Sequence, residues 1–131
     1  MATKISIDFI LTGKFDPDKI TTLIGINPTN TWKFGDSIQN TKLRRKHDGW
    51  KLSIDKEESL DLNEKIEPLL MQLESHSMLL KEIYEKLNAK AEIACAIYIE
   101  GEQVPAIHFN HETIKRVSNL GAEIDVDFYL F

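Results

Sequence analysis

Leu60-Asp61-Leu62-Asn63-Glu64-Lys65-Ile66-Glu67-Pro68-Leu69-Leu70-Met71-Gln72-Leu73-Glu74-Ser75-His76-Ser77-Met78-Leu79-Leu80-Lys81-Glu82-Ile83-Tyr84-Glu85-Lys86-Leu87 is the stretch that decides the fold class. Leu62, Ile66, Leu69, Leu73, His76, Leu80, Ile83 and Leu87 recur in alternating steps of four and three, the spacing of one helical face. Pro68 opposes one straight helix, because proline removes a backbone donor and clashes with the preceding turn. Ser75-His76-Ser77 interrupts the apolar seam, and either serine can cap a new helix. Two helices with a break near residues 74–77 are therefore expected over one kinked helix. His76 marks the break, and it has no evident partner for catalysis.

Strand patterns flank this helical middle. Ile5, Ile7, Phe9 and Leu11 alternate with Lys4, Ser6, Asp8 and Thr12, and Gly13 ends the run. Asp16-Pro17 opens a short helix carrying Ile20, Leu23 and Ile24, closed by Gly25. Asn27-Pro28-Thr29 is a turn, and short strands are read near residues 31–34 and 50–54. Asp55-Lys56-Glu57-Glu58 reads as a charged loop. Ile93-Ala94-Cys95-Ala96-Ile97-Tyr98-Ile99 is apolar on both faces, so it is placed centrally in the sheet. Gly101-Glu102 suits a two-residue hairpin turn, with residues 104–109 returning antiparallel as an edge strand because of Pro105. Asn110 caps a helix bearing Ile114, Val117 and Leu120 and ending at Gly121; Ile124, Val126, Phe128 and Leu130 then alternate in a last strand. The whole predicts an α+β fold: an antiparallel or mixed sheet of five to six strands with helices packed on one face, in one domain over residues 1–131.

At 131 residues the chain can bury a core without disulfides or metals. The single cysteine, Cys95, excludes an internal disulfide, and a reducing cytoplasm is the simplest expectation. Asp8 interrupts any signal-peptide pattern at the start, and no apolar run is long enough for a membrane span. Charge is unevenly spread. Residues 1–50 hold eight Lys/Arg against five Asp/Glu, +3, and residues 51–131 hold eight against sixteen, −8. The acidic total opposes general nucleic-acid binding, which depends on neutralising phosphates.

Residues 27–50 collect the unusual side chains: Asn27-Pro28-Thr29, Trp32, Gly35-Asp36, the basic run Lys42-Leu43-Arg44-Arg45-Lys46-His47, and Asp48-Gly49-Trp50. That order resembles the bacterial family catalogued as domain of unknown function 4279. The likeness extends to Phe15-Asp16-Pro17, Leu23-Ile24-Gly25-Ile26 and Leu120-Gly121-Ala122-Glu123-Ile124-Asp125-Val126-Asp127. It covers essentially the whole chain and is densest over residues 9–50. The resemblance implies a single small bacterial domain, and it carries over no catalytic residue.

Trp32, Asp36, Arg44, Arg45, Lys46 and Trp50 are the candidate binding residues. Aromatics beside arginine can anchor a partner or stack on a ligand. On the competing reading Trp32 and Trp50 are core residues of adjacent strands, and the basic run is a solvated loop. If Gly101-Glu102 form a two-residue turn, Cys95 sits opposite His108, although an inert buried thiol is the expectation for so apolar a strand. His108 and His111 lack a third metal ligand. Glu123, Asp125 and Asp127 share one strand face, a solvated face or one suited to a basic partner.

No phosphate loop, dinucleotide fingerprint, nucleophile elbow or paired-cysteine motif is present, which argues against an enzyme. No cofactor or metal is expected. The function expected is a non-enzymatic protein–protein interaction module, immunity- or antitoxin-like, with an acidic half that neutralises a basic protein partner. The alternative is a small-ligand or enzymatic pocket around Trp32, Asp36 and Trp50. A monomer and a homodimer are both compatible, with the Pro105 segment and the helical seam as dimer surfaces.

Overall fold

The computed structural model describes residues 2–131. The elements run β1 (Lys4–Gly13), α1 (Pro17–Ile24), β2 (Asn30–Trp32), β3 (Asp48–Glu58), α2 (Leu62–Leu73), a single 3-10 turn (Glu74–His76), α3 (Ser77–Leu87), β4 (Lys90–Ile99), α4 (His111–Asn119) and β5 (Glu123–Leu130). The five strands form one mixed sheet in the order β2-β3-β1-β4-β5. All neighbours are antiparallel except β4 and β5, which run parallel. The fold is α+β, as the periodicities predict.

The helical seam breaks where Ser75-His76-Ser77 predicts it. Its apolar members are buried except Leu87, and His76 sits half-buried in the 3-10 turn. Asp61 caps α2 by accepting from the Asn63 and Glu64 N–H groups. Asp16 and Asn110 cap α1 and α4 in the same way, and Gly25 closes α1 in the left-handed conformation. One sheet face carries Ile5, Ile7, Phe9, Leu11, Trp50, Leu52, Ile93, Cys95 and Ile97. Ile20, Leu62, Ile66, Leu69, Leu73, Leu80, Ile83 and Val117 of the helices pack against it in a single core. None of the four helices packs on the opposite face, where Ser6, Asp8, Ala94 and Ala96 remain half-buried.

Three expectations change. Residues 104–109 form no antiparallel edge strand. Pro105 has no N–H for a ladder, and this segment ties elsewhere. Thr3 N–H donates to Gln103 Oε1 at 3.0 Å, and Ala106 N–H donates to the Leu60 carbonyl at 2.8 Å. The second neighbour of β4 is therefore β5, reached through α4 as a parallel crossover. Cys95 faces Ile7 on one side and Val126 on the other, not His108. Asp55-Lys56-Glu57-Glu58 belongs to β3 rather than to a loop; a bulge opposite Ile5–Ile7 shifts the register, and the ladder resumes with Glu57 opposite Ile5 and Glu58 opposite Lys4. The strand at the centre is β1; β4 lies beside it.

Candidate functional site

Asp48, at the start of β3, organises the region where the unusual residues gather. Its Oδ2 accepts from the Phe15 N–H at 2.9 Å and its Oδ1 from the Phe34 N–H at 2.8 Å. One carboxylate thus holds the end of β1 and the loop after β2 together. Hydrogen bonds to a charged acceptor are among the stronger ones a protein makes.

The loop of residues 33–47 folds back on itself. Ile38 N–H donates to the Leu43 carbonyl at 3.0 Å, Gly35 N–H to Arg45 at 2.9 Å and Arg45 N–H to Asp36 at 2.8 Å. Ser37 and Arg44 form an antiparallel bridge. Asn40, at φ 63°, makes the turn. Asp36 Oδ2 accepts from the Lys33 N–H at 2.8 Å, so this carboxylate shapes the loop. Arg44 donates from Nη1 to the Gly35 carbonyl at 3.2 Å. Arg45 lies over the Trp32 ring, 4.2 Å from its centroid.

The two tryptophans lie on opposite faces of the sheet. Trp32 pairs across the ladder with Gly49, and Thr31 with Trp50. Trp50 is 0 % exposed, meets Phe9 edge-on in the core and donates from Nε1 to Thr21 Oγ1 at 3.0 Å. Trp32, half-buried, covers Gly49, whose missing side chain makes room for the indole. The structure therefore brings Trp32, Asp36, Arg44 and Arg45 into one folded loop with Lys46 beside it. It leaves Trp50 on the other side of the sheet. A cavity of about 640 Å³ is lined by Phe34, Lys46 and Asp48 and by none of Trp32, Asp36 or Trp50. Its other walls are Thr12 and Gly13 at the end of β1, Lys14 after it, His47, and Leu87, Asn88 and Lys90 around the α3–β4 turn. Lys14, Phe34 and Asp48 escape a reading by motif because the fold assembles them from separate segments. The one linear signal is Asp48 itself, the acidic residue preceding Gly49-Trp50.

The second charged region is the β4–β5 side. Glu123, Asp125 and Asp127 are exposed on one face of β5, with Glu92 beside them on β4. Lys90 pairs with Glu123 at 2.9 Å, and this contact raises its pKa. Partial burial, and then the Asp125 charge, push the Glu92 carboxyl above its ordinary range. On the other face of β5, Phe128 is 50 % exposed and Leu130 78 %. Beyond β5 the described sheet has no further strand.

Cys95 and Tyr84 are withdrawn from solvent. Cys95 is 1 % exposed, and burial, with smaller contributions from Asp125 and Asp8, pushes its thiol up to about 12. A thiol held protonated is a poor nucleophile. Tyr84 is likewise pushed up by burial, its hydroxyl donating to the Leu120 carbonyl at 2.8 Å. Among the described residues no group of three or more His, Cys, Asp or Glu is arranged to hold a metal ion, and no helix is long and apolar enough to cross a membrane.

Fold and site together define a small α+β domain: a mixed sheet clothed by helices on one face, with a carboxylate-pinned loop at one end and an acidic edge strand at its side. A family model described as a domain of unknown function, DUF4279, matches residues 3–131, and the chain belongs to that family. Searches of curated proteins and of solved structures found no match.

Proposed function

We propose that this domain is a non-enzymatic protein–protein interaction module that engages a basic partner, as an immunity or antitoxin protein does. The observation that supports the reading is the free edge strand β5. It presents Glu123, Asp125 and Asp127 on one face and exposed Phe128 and Leu130 on the other. An edge strand with unpaired backbone groups can accept one more strand from a partner. A segment alternating lysine or arginine with apolar residues would match both faces at once, and the charges would speed and orient its approach.

The test is capture of host proteins by the intact domain and by Asp125→Lys/Asp127→Lys. Wild type should retain a basic protein at low salt, and the variant, with an unchanged melting temperature, should release it. Retention of no protein by wild type, or capture indifferent to the charge reversal, would sink the proposal.

A further inference from the structure

We propose that the cleft walled by Lys14, Phe34, Lys46 and Leu87 binds a small phosphomonoester carrying a flat aromatic ring, of the size of a nucleoside monophosphate. The site adjoins the β5 edge at the Lys90–Glu123 pair and does not depend on the interaction reading. At about 640 Å³ the cavity falls within the range that takes up small molecules. One wall is the close packing of Gly13 against the α3–β4 turn. A Cβ there would meet the Ala89 Cα at 3.3 Å and the Asn88 carbonyl oxygen at 3.4 Å.

The walls differ in chemistry. Lys14 and Lys46 supply positive charge, and among the described residues no carboxylate lies within ion-pair distance of either. Lys90 joins them, shared with Glu123. The one acidic lining residue, Asp48, has each oxygen taken by a backbone N–H, so its charge is directed into the two loops it holds. The lining carries three lysines and His47, and no arginine. Each lysine is a compact point charge, a form of cation that binds phosphate without demanding a planar fork. Phe34 supplies the apolar wall. Its backbone is pinned by Asp48 while the residue stays 73 % exposed, an aromatic platform held at the rim without a partner. Leu87 adds apolar surface beneath it. A ring stacking on Phe34 and a phosphate between the lysines would satisfy both walls.

Adenosine 5′-monophosphate, adenosine, inorganic phosphate and a short 5′-phosphorylated RNA are titrated calorimetrically into the intact protein. The monophosphate should bind with Kd below about 1 mM, and more weakly as salt rises from roughly 50 to 500 mM. Adenosine and phosphate should each bind more weakly than the monophosphate. Phe34→Ala should weaken binding about tenfold, and Lys14→Ala/Lys46→Ala should weaken it at least as much, with melting temperatures unchanged. Backbone amide shifts on wild type give a readout independent of any variant, and they should centre on Gly13, Lys14, Phe34 and Lys46. No binding by the monophosphate, shifts centred elsewhere, or affinity indifferent to both variants overturns the site. Phosphate matching the monophosphate overturns the ring platform. Adenosine matching it overturns the anion pocket, and tighter binding of the RNA overturns the small-molecule assignment.

Discussion

Gly49→Ala tests how the cross-strand pair of Gly49 and Trp32 is built. Gly49 is not among the glycines with positive φ, so alanine suits its backbone. Space is the constraint, because a Cβ would fall inside the Trp32 indole, against Cε2, Cζ2 and Nε1. The indole must swing out. A tryptophan covers on the order of 150–250 Å² when packed, and re-exposing about 100 Å² of it costs about 2.5 kcal/mol at roughly 25 cal/mol per Å². Losing the Arg45 stack adds about 0.5–1 kcal/mol. Stiffening the unfolded chain returns about 0.4–1 kcal/mol. The net expectation is a loss of about 2–3 kcal/mol, or a melting temperature lower by roughly 6–12 °C for a chain of this size. Fluorescence reports the cause. Trp50 stays in the core and keeps its blue emission, while Trp32 shifts to the red. In a Trp32→Ala background the same glycine substitution should cost almost nothing, because the clash is gone. An additive cycle, or a Gly49→Ala protein with unchanged emission and stability, would refute this account of the packing.

Cys95 should resist thiol reagents at neutral pH until denaturant is added; rapid labelling of the native protein would contradict its burial. Because folding raises the pKa of this acid, its contribution to stability is full below the ordinary thiol range and is lost as pH climbs toward about 12. Alkaline unfolding should therefore begin later in Cys95→Ser than in wild type, once each is compared with its own stability at neutral pH. Arg116 of α4 is held by Glu67 of α2 and by Glu74 of the 3-10 turn. Arg116→Ala should cost about 1–2 kcal/mol in urea unfolding and less at high salt, where such pairs are screened. A cost that does not change with salt would show that the tether acts through packing.

Local chemistry was legible in the sequence; long-range pairing was not. Asp16-Pro17, Asn110 and the terminal glycines announce helix ends because a cap is satisfied within a few residues. The seam and its break at Ser75-His76-Ser77 are legible for the same reason: periodicity is a property of one segment. Alternation in residues 123–130 reveals a strand but not its neighbour. The Gly101-Glu102 turn therefore suggested a hairpin, whereas the chain makes a crossover. The same limit applies to the site. Trp32 and Trp50 look alike as members of one motif, yet they sit on opposed positions of the pleat, one covering Gly49 and one in the core. The cleft draws on residues 14, 34, 46 and 87, and no linear pattern joins them.

The position of β1 bears on how the protein reaches its native state. The first strand in the sequence lies in the middle of the sheet, with Lys4 paired to Glu58 on one side and to Tyr98 on the other. Its ladders close loops that run to positions 58 and 98, and the entropy of closing such loops is lost before their contacts form. Long-range pairing of this kind makes folding slower than that of a helical bundle of the same length. A nascent chain would hold one edge of β1 unpaired until β4 has been made. During synthesis the segment of greatest hazard is therefore residues 5–11, whose Ile5, Ile7, Phe9 and Leu11 side chains are fully buried in the finished protein.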